Sequence, residues 1–445
     1  MKKAPTLFKQ IAFVVITGLS TPAIAQLTPI QYFRPNNKNG LHTFETTKND
    51  TTAYTGMKVR VGGNFTQDFQ NLSHQNNAAP VLVGGVNTNQ LAAVTNGFNL
   101  AMANLNIDAQ LADGIRMNLT MYLSSRHHEE TWVKGGYIQF DKLPFLKSAL
   151  IDSIMKNFTI KVGQYEVDYG DQHFRRSDGG NAIYNPFVEN LIMDEFATEI
   201  GAEVYFHPKS GIIAMVGVTN GELNPTVIRA SKIDSATGKF NKYPPAFHAK
   251  LGFDKQLSKD FRFRIMGSVY AVKSAASNTL FNGDRTGSRY FYMMENTAAT
   301  SVDNPFSGRF NPKFSEQVNT FMINPFIKFK GLELFGTYEM AQGRAITEKK
   351  MRNATQYAVD LIYRFPKDKE NFWIGVRYNS LTTKLALNTP DVTINRAVAS
   401  VGWFVTKNIM MKAEYVNQMY QNFAATDIRS GGKFSGMMLE ASIGF

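Results

Sequence analysis

From residue 115 the chain reads Ile115, Arg116, Met117, Asn118, Leu119, Thr120, Met121, with apolar side chains at the odd positions and polar ones between them. A period of two is the signature of a strand whose two faces meet different surroundings. Leu105, Ile107, Ala109 and Leu111 alternate in the same way with Asn106, Asp108 and Gln110, and Asp113 and Gly114 between the two runs are a tight-hairpin signal. The final run places Met437, Leu439, Ala441, Ile443 and Phe445 on one face.

About sixteen such runs can be read, near residues 57 to 70, 97 to 111, 115 to 124, 131 to 141, 157 to 166, 196 to 206, 212 to 220, 246 to 257, 261 to 272, 318 to 329, 332 to 341, 354 to 365, 371 to 381, 393 to 405, 408 to 420 and 432 to 445. Most span about ten residues, the length a tilted strand needs to cross a bilayer. Connections alternate between short ones, such as 258 to 260 and 330 to 331, and long polar ones at 71 to 96, 167 to 195, 221 to 245 and 273 to 317. Residues 142 to 156 break the rule, with Leu143, Leu146, Leu150, Ile151 and Ile154 spaced for a short amphipathic helix. Lipid leaves no partner for an unpaired backbone amide, so strands cross it only as a closed barrel. The pattern therefore predicts an all-β fold: a transmembrane antiparallel barrel over 57–445 of about 16 strands, within 14–18, with short periplasmic turns and long extracellular loops. The competing soluble sandwich has no reason to place aromatics such as Tyr363, Phe365, Phe372, Trp403, Tyr415 and Phe445 near strand ends.

Composition agrees with this picture. The 445 residues are 43% hydrophobic, 12% aromatic and 19% charged, with no cysteine. That excludes a disulfide scaffold and a thiolate metal site, and it is too apolar for a disordered chain. The apolar stretch near residue 11 is too short for a spanning helix. Lys2, Lys3 and Lys9, the apolar run 11 to 19 and the Ala23-Ile24-Ala25 site together read as a cleaved export signal over 1–25. Residues 26–56 then form an N-terminal periplasmic segment. Cleavage removes three lysines and no acidic residue, so the charge falls from +12 to +9.

Sixteen strands leave room for a water-filled channel, whereas about eight do not. The polar face of the runs carries Lys58, Arg60, Arg116, Lys161, Lys250, Arg262, Arg264, Lys328, Arg364, Arg377, Arg396 and Lys412. Against them stand Asp68, Asp108, Glu199, Glu203, Asp254, Glu333, Glu339, Asp360, Glu414 and Glu440. An arginine facing lipid at the midplane costs roughly 2–4 kcal/mol, so these groups are expected in the lumen. Their small basic surplus predicts a polar pore with mild anion preference. The loop 167–195 is the most distinctive, with Asp168, Asp171, Arg175, Arg176 and Asp178 among Tyr169, Phe174, Tyr184 and Phe187. In sixteen-stranded porins the loop after strand five commonly folds inward, and by that analogy these charges would set a transverse field at a constriction.

Two segments carry a resemblance. Tyr32-Phe33-Arg34-Pro35-Asn36-Asn37-Lys38-Asn39-Gly40, within 30 to 45, is similar to the mature start of outer-membrane porins of Bacteroidota. Val162-Gly163-Gln164-Tyr165, with Tyr169-Gly170-Asp171-Gln172-His173-Phe174-Arg175-Arg176 and Asn185-Pro186-Phe187, resembles sequences grouped with the phosphate-selective porins O and P. The resemblance implies passive diffusion of small hydrophilic solutes across the outer membrane, and porins of this size are often homotrimers. Phosphate selectivity does not carry over, because a ladder of arginines is missing and only Arg175 with Arg176 and Arg262 with Arg264 lie close together.

Other chemistry is sparse. His127-His128-Glu129-Glu130 and the Asp171, His173 pair have metal-ligand types without a ligand-set spacing. Ser73 and His74 are no hydrolase constellation, and nothing points to an enzyme or a cofactor. The cations form no continuous stripe for nucleic acid. A diffusion porin leads, with outer-membrane lipid and small solutes or anions as partners. The alternatives are a substrate-specific transporter and a surface scaffold using loop 273–317 with Arg285, Arg289, Tyr290, Phe291, Tyr292 and Arg309.

Overall fold

The computed structural model describes residues 29–99, 102–124, 131–177, 181–223, 226–227, 230–240, 242–284 and 286–445. The export signal, the histidine-glutamate run at 127–130, Asp178 and Arg285 lie outside them. Sixteen strands form one antiparallel sheet: β1 (Lys58–Gln75), β2 (Met102–Ala112), β3 (Ile115–Ser124), β4 (Thr131–Phe140), β5 (Phe158–Glu166), β6 (Thr198–Phe206), β7 (Ile212–Thr219) and β8 (Ala246–Ser258) make the first half. β9 (Phe261–Val272), β10 (Gln317–Phe329), β11 (Leu332–Arg344), β12 (Arg352–Phe365), β13 (Phe372–Lys384), β14 (Asp391–Phe404), β15 (Ile409–Gln421) and β16 (Lys433–Gly444) make the second. Each pairs with its neighbours in sequence, and β16 closes on β1 from Asn64 opposite Gly444 to Gln75 opposite Lys433. Among the described residues the sheet thus closes on itself, and the strands find their hydrogen-bond partners in their neighbours.

The alternation read from the sequence is the wall. Along β13 the outward Ile374 and Val376 are about half exposed, whereas the inward Trp373 and Arg377 are each 2% exposed. All the lumenal charges expected above stand on the inner side of their strands, buried or partly so. Outside, Tyr363, Phe365, Phe372 and Trp403 stack in a row beside the short turns, with ring planes within 22° of one another. Lys330 and Gly331 both take positive φ, 49° and 88°, as a two-residue hairpin turn matching strand twist requires.

Three details differ from the periodicity. In the run expected at 97 to 111, Gly97–Phe98 pairs with the upper part of β1 and Met102–Ala112 forms β2, residues 100–101 lying outside the described ones. The expected helix at 142 to 156 shortens to α1 (Ala149–Met155), with the Ser148 side chain accepting from the Ile151 amide at its start. The surface expected on loop 273–317 is turned inward: Arg289, Tyr290 and Phe291 are buried, and Arg309 reaches Glu189 and Asp194 inside the barrel. Interior carboxylates draw these side chains in, because each arginine gains a charge-assisted partner there.

Candidate pore

Loop 167–197 lies across the interior, and the wall of β12 to β15 supplies partners for its backbone. Val188 donates to Glu414 at 2.6 Å, Ile192 to Asn379 at 2.7 Å and Met193 to Gln356 at 2.8 Å. In return its carbonyls accept from Arg377 (Glu189, 3.0 Å), Arg396 (Asn190, 2.7 Å) and Lys412 (Phe187, 2.6 Å). A buried irregular backbone needs such partners, since its amides and carbonyls have no ladder of their own. Phe187 lies under the Arg377 guanidinium at 4.3 Å, and the Trp373 indole donates to the Pro186 carbonyl. Trp373 sits opposite Gly402, and a Cβ there would fall 1.9 Å from the indole ring, so the glycine is what gives that ring room.

The charges read from the sequence are nearly all engaged. Arg176 holds Asp194 in a bidentate pair at 2.7 and 2.8 Å. Arg175 lies over the Phe335 ring and 4.0 Å from Glu333, which also holds Arg364. Arg377 pairs with Asp360 at 2.6 Å, and Arg262 with Asp254 at 2.6 Å. Arg60 lies over the Phe33 ring beside Asp108, while Arg116 donates to Gln139 at 2.7 Å. At the centre, Lys250 reaches Asp168 and Asp171, and Arg264 joins Asp171 at 2.7 Å, Glu45 at 2.7 Å and Asp254 at 3.0 Å. Glu45 comes from the N-terminal segment, which periodicity analysis could not place because that segment has no period. Arg264→Ala takes one cation from Glu45, Asp171 and Asp254 at once in a buried site, leaving Lys250 and Arg262 alone to balance them. The expected loss is about 3–5 kcal/mol of unfolding free energy, read by denaturant titration of the folded barrel in detergent.

One further group has cation-ligand types: the donor atoms of His42, Glu333 and Glu370 lie within 4.8 Å of one another. Arg364 and Lys328 already balance its two carboxylates, so it is a complete ion-paired cluster. Asp171 and His173, paired by spacing in the sequence, instead turn to separate partners: His173 bonds Asp168 at 2.8 Å.

Open space remains on one side. Inward residues of β10 to β15 are buried apart from a few such as Lys328, whereas Asn106, Asn118, Thr120, Tyr137 and Lys161 on β2 to β5 stay partly exposed. Three cavities follow that side. One of about 880 Å³ at the short turns is bordered by Lys48, Asp141, Lys142, Asp152 and His207. His207 also borders a chamber of about 270 Å³, with Arg34, Phe44, Glu45, Asp108, Arg116, Lys161, Asp168 and Tyr184. Lys161, Tyr137 and His173 border both that chamber and a third space of about 210 Å³, which reaches Lys134 and Glu166 near the long loops. Of the sequence-expected charges that the structure describes, Asp108, Arg116, Lys161 and Asp168 line the chamber.

No protein-family model and no curated protein matches the sequence. Solved structures do match. OmpF of Salmonella typhi, in a complex with daunomycin, superposes with a TM-score of 0.50 at 9% identity, over 88% of this chain and 99% of its own. OprB of Pseudomonas putida gives 0.50 at 9% identity, over 87% and 94%. The fold is that of outer-membrane porins. The outer membrane channel DcaP of Acinetobacter baumannii, at 12% identity and a TM-score of 0.49, covers 88% of this chain.

Proposed function

We propose that this barrel is a diffusion porin of the outer membrane, passing small hydrophilic solutes and ions along its β2 to β6 side. The row of three cavities sharing His207, Lys161 and His173 carries the reading, because it runs from the short-turn mouth to the long-loop end. Its lining favours weak selectivity. Arg34, Arg116 and Lys161 line the chamber together with Glu45, Asp108 and Asp168, whereas a field dominated by one sign needs rings of like charge. The small basic surplus of the wall gives a slight anion preference. Loop 167–197 narrows the route, Asp168 acting at the chamber and Arg175, Arg176 and Asp171 shaping it from behind. The similarity of residues 30 to 45 and 162 to 187 to Bacteroidota porins supports the same reading, with lipid as the partner of the outer face.

Reconstitution into planar bilayers tests this. Open channels at low voltage are expected, with an anion-to-cation permeability ratio slightly above one. Lys161→Gln, at the narrow part of the route, should move that ratio toward cations, while Arg175→Ala with Arg176→Ala should change it less. A protein that inserts as a folded barrel yet conducts nothing would sink the reading.

A further inference from the structure

Residues 29–56 cross the short-turn mouth rather than hanging below it. Gln31 is fixed at the turn between β2 and β3, its Nε2 donating to Asp113 at 3.0 Å and its Oε1 accepting from the Gly114 amide at 2.9 Å. Seven residues later the Lys38 amide donates to the Lys407 carbonyl at 2.8 Å, at the turn between β14 and β15. The chain then turns upward. Phe44 enters the interior between Phe174 and Phe326, with ring centroids 5.6 and 5.4 Å away. Glu45 follows it and takes two nitrogens of Arg264, at 2.7 and 2.9 Å, with Lys250 at 3.5 Å. Phe33, Arg34, Asn36, Phe44, Glu45 and Thr46 thereby make one wall of the 270 Å³ chamber.

The contacts are of two kinds. On either side of Glu45 the segment is anchored to the barrel: Gln31 bonds Gln110, Asp113 and Gly114, Arg34 lies over the Tyr184 ring and donates to the Phe174 carbonyl, His42 meets Glu333 and Glu370, and Lys48 pairs with Asp141. At Glu45 it joins an ion cluster that is otherwise closed: Lys250 and Arg264 keep Asp168, Asp171 and Asp254 as partners whether or not Glu45 is present. Withdrawing this carboxylate therefore leaves the barrel and loop 167–197 paired while removing the ion pair that holds the middle of the segment against the chamber. We propose that residues 29–56 are a movable strap that sets the solute size limit from the periplasmic side, with Glu45 as its latch on Arg264 and Lys250. The proposal rests on the diffusion reading above. Phe44 fills the space beside the latch, so strap release widens the chamber by backbone movement.

The test is Glu45→Gln in the full chain, an isosteric change that removes charge and no bulk. Single-channel conductance is expected to rise by about twofold or more, as for release of a gating segment. Swelling of liposomes in uncharged sugars is expected to admit a trisaccharide that the parent protein excludes. Adding Lys38→Cys and Lys407→Cys tests reversal at the point where the Lys38 amide already meets the Lys407 carbonyl, and the chain has no other thiol. Oxidation should return conductance to the parent value, and a reductant should release it. Glu45→Gln channels that conduct and exclude like the parent would overturn the strap, and so would raised conductance that oxidation leaves unchanged. Absence of channels in every form, parent included, would instead remove the diffusion reading. Should Glu45→Gln not fold, the cysteine pair alone in the otherwise parent chain carries the test, because its oxidised form must then suppress opening at acid pH.

Discussion

Replacing residues 182–195 by a short glycine and serine linker raises single-channel conductance several-fold and lifts the solute size limit well beyond that of the strap variant. The reason is volume: every residue from 182 to 197 is buried inside the barrel, across the bore from the open cavities. Excision leaves Gln356, Arg377, Asn379, Arg396, Lys412 and Glu414 without the backbone groups they now hold. These groups would then face water entering the widened lumen, which satisfies them, so the wall survives the loss of its contents. Arg377 also keeps Asp360, and Lys412 keeps Glu440. Conductance steps and sugar permeation in the same bilayer and liposome assays measure the effect. A conductance equal to the parent's would show that the loop lies outside the route.

The barrel was legible because its physics repeats: each strand restates the contrast of lipid and lumen, and Lys250, Arg264 or Arg377 could stand on only one face without a large penalty. What fills the bore was not legible in the same way. Loop 167–195 could be singled out by its turn residues and aromatics, but its seats are single polar residues on distant strands, such as Asn379 and Gln356, indistinguishable in sequence from residues that merely line water. Glu45 was hidden for the opposite reason. It belongs to a segment with no alternation, and nothing local to it foretells two cations more than 200 residues away. The inward turn of Arg289 and Arg309 is a further case, since an arginine-rich loop reads as an outer surface until the carboxylates that attract it are placed.

Acidification should open the same channel. Burial pushes the His42 imidazole down to about 4, against the opposing pull of Glu333 and Glu370 and with Lys328 and Arg364 nearby adding to the fall. Burial would raise the Glu45 carboxyl, but Arg264 and Lys250 outweigh it, despite Asp168, and hold it at about 2. Glu370 is likewise held at about 2, its burial outweighed by His42 and Lys328. On a released strap the histidine returns to near 6.5 and the Glu45 carboxyl to near 4.5, while Glu370, outside the strap, keeps Lys328. As pH falls below 6.5, the released form takes up a proton at residue 42 that the docked form refuses until about 4. Below 4.5 the released Glu45 carboxyl takes its proton, which the docked one refuses until about 2. Both steps favour release, so docking weakens throughout the descent. Conductance should rise between pH 7 and pH 4, and the rise should shrink in His42→Asn with Glu45→Gln, whose strap is free already. A conductance that is flat or falls over that interval contradicts the proposed linkage.

The hydrogen bonds that seat loop 167–197 also impose a sequence of events in time. The loop emerges between β5 and β6, yet its partners lie on β12 to β15, with Val188 and Glu414 226 positions apart along the chain. Contacts of such separation form slowly, because the intervening chain must first be organised. The receptor for the loop exists only once the late strands stand side by side, so a newly closed barrel is wide-bored and wet, and it narrows afterwards as the loop settles. Filling of the bore is therefore expected to follow completion of the wall itself.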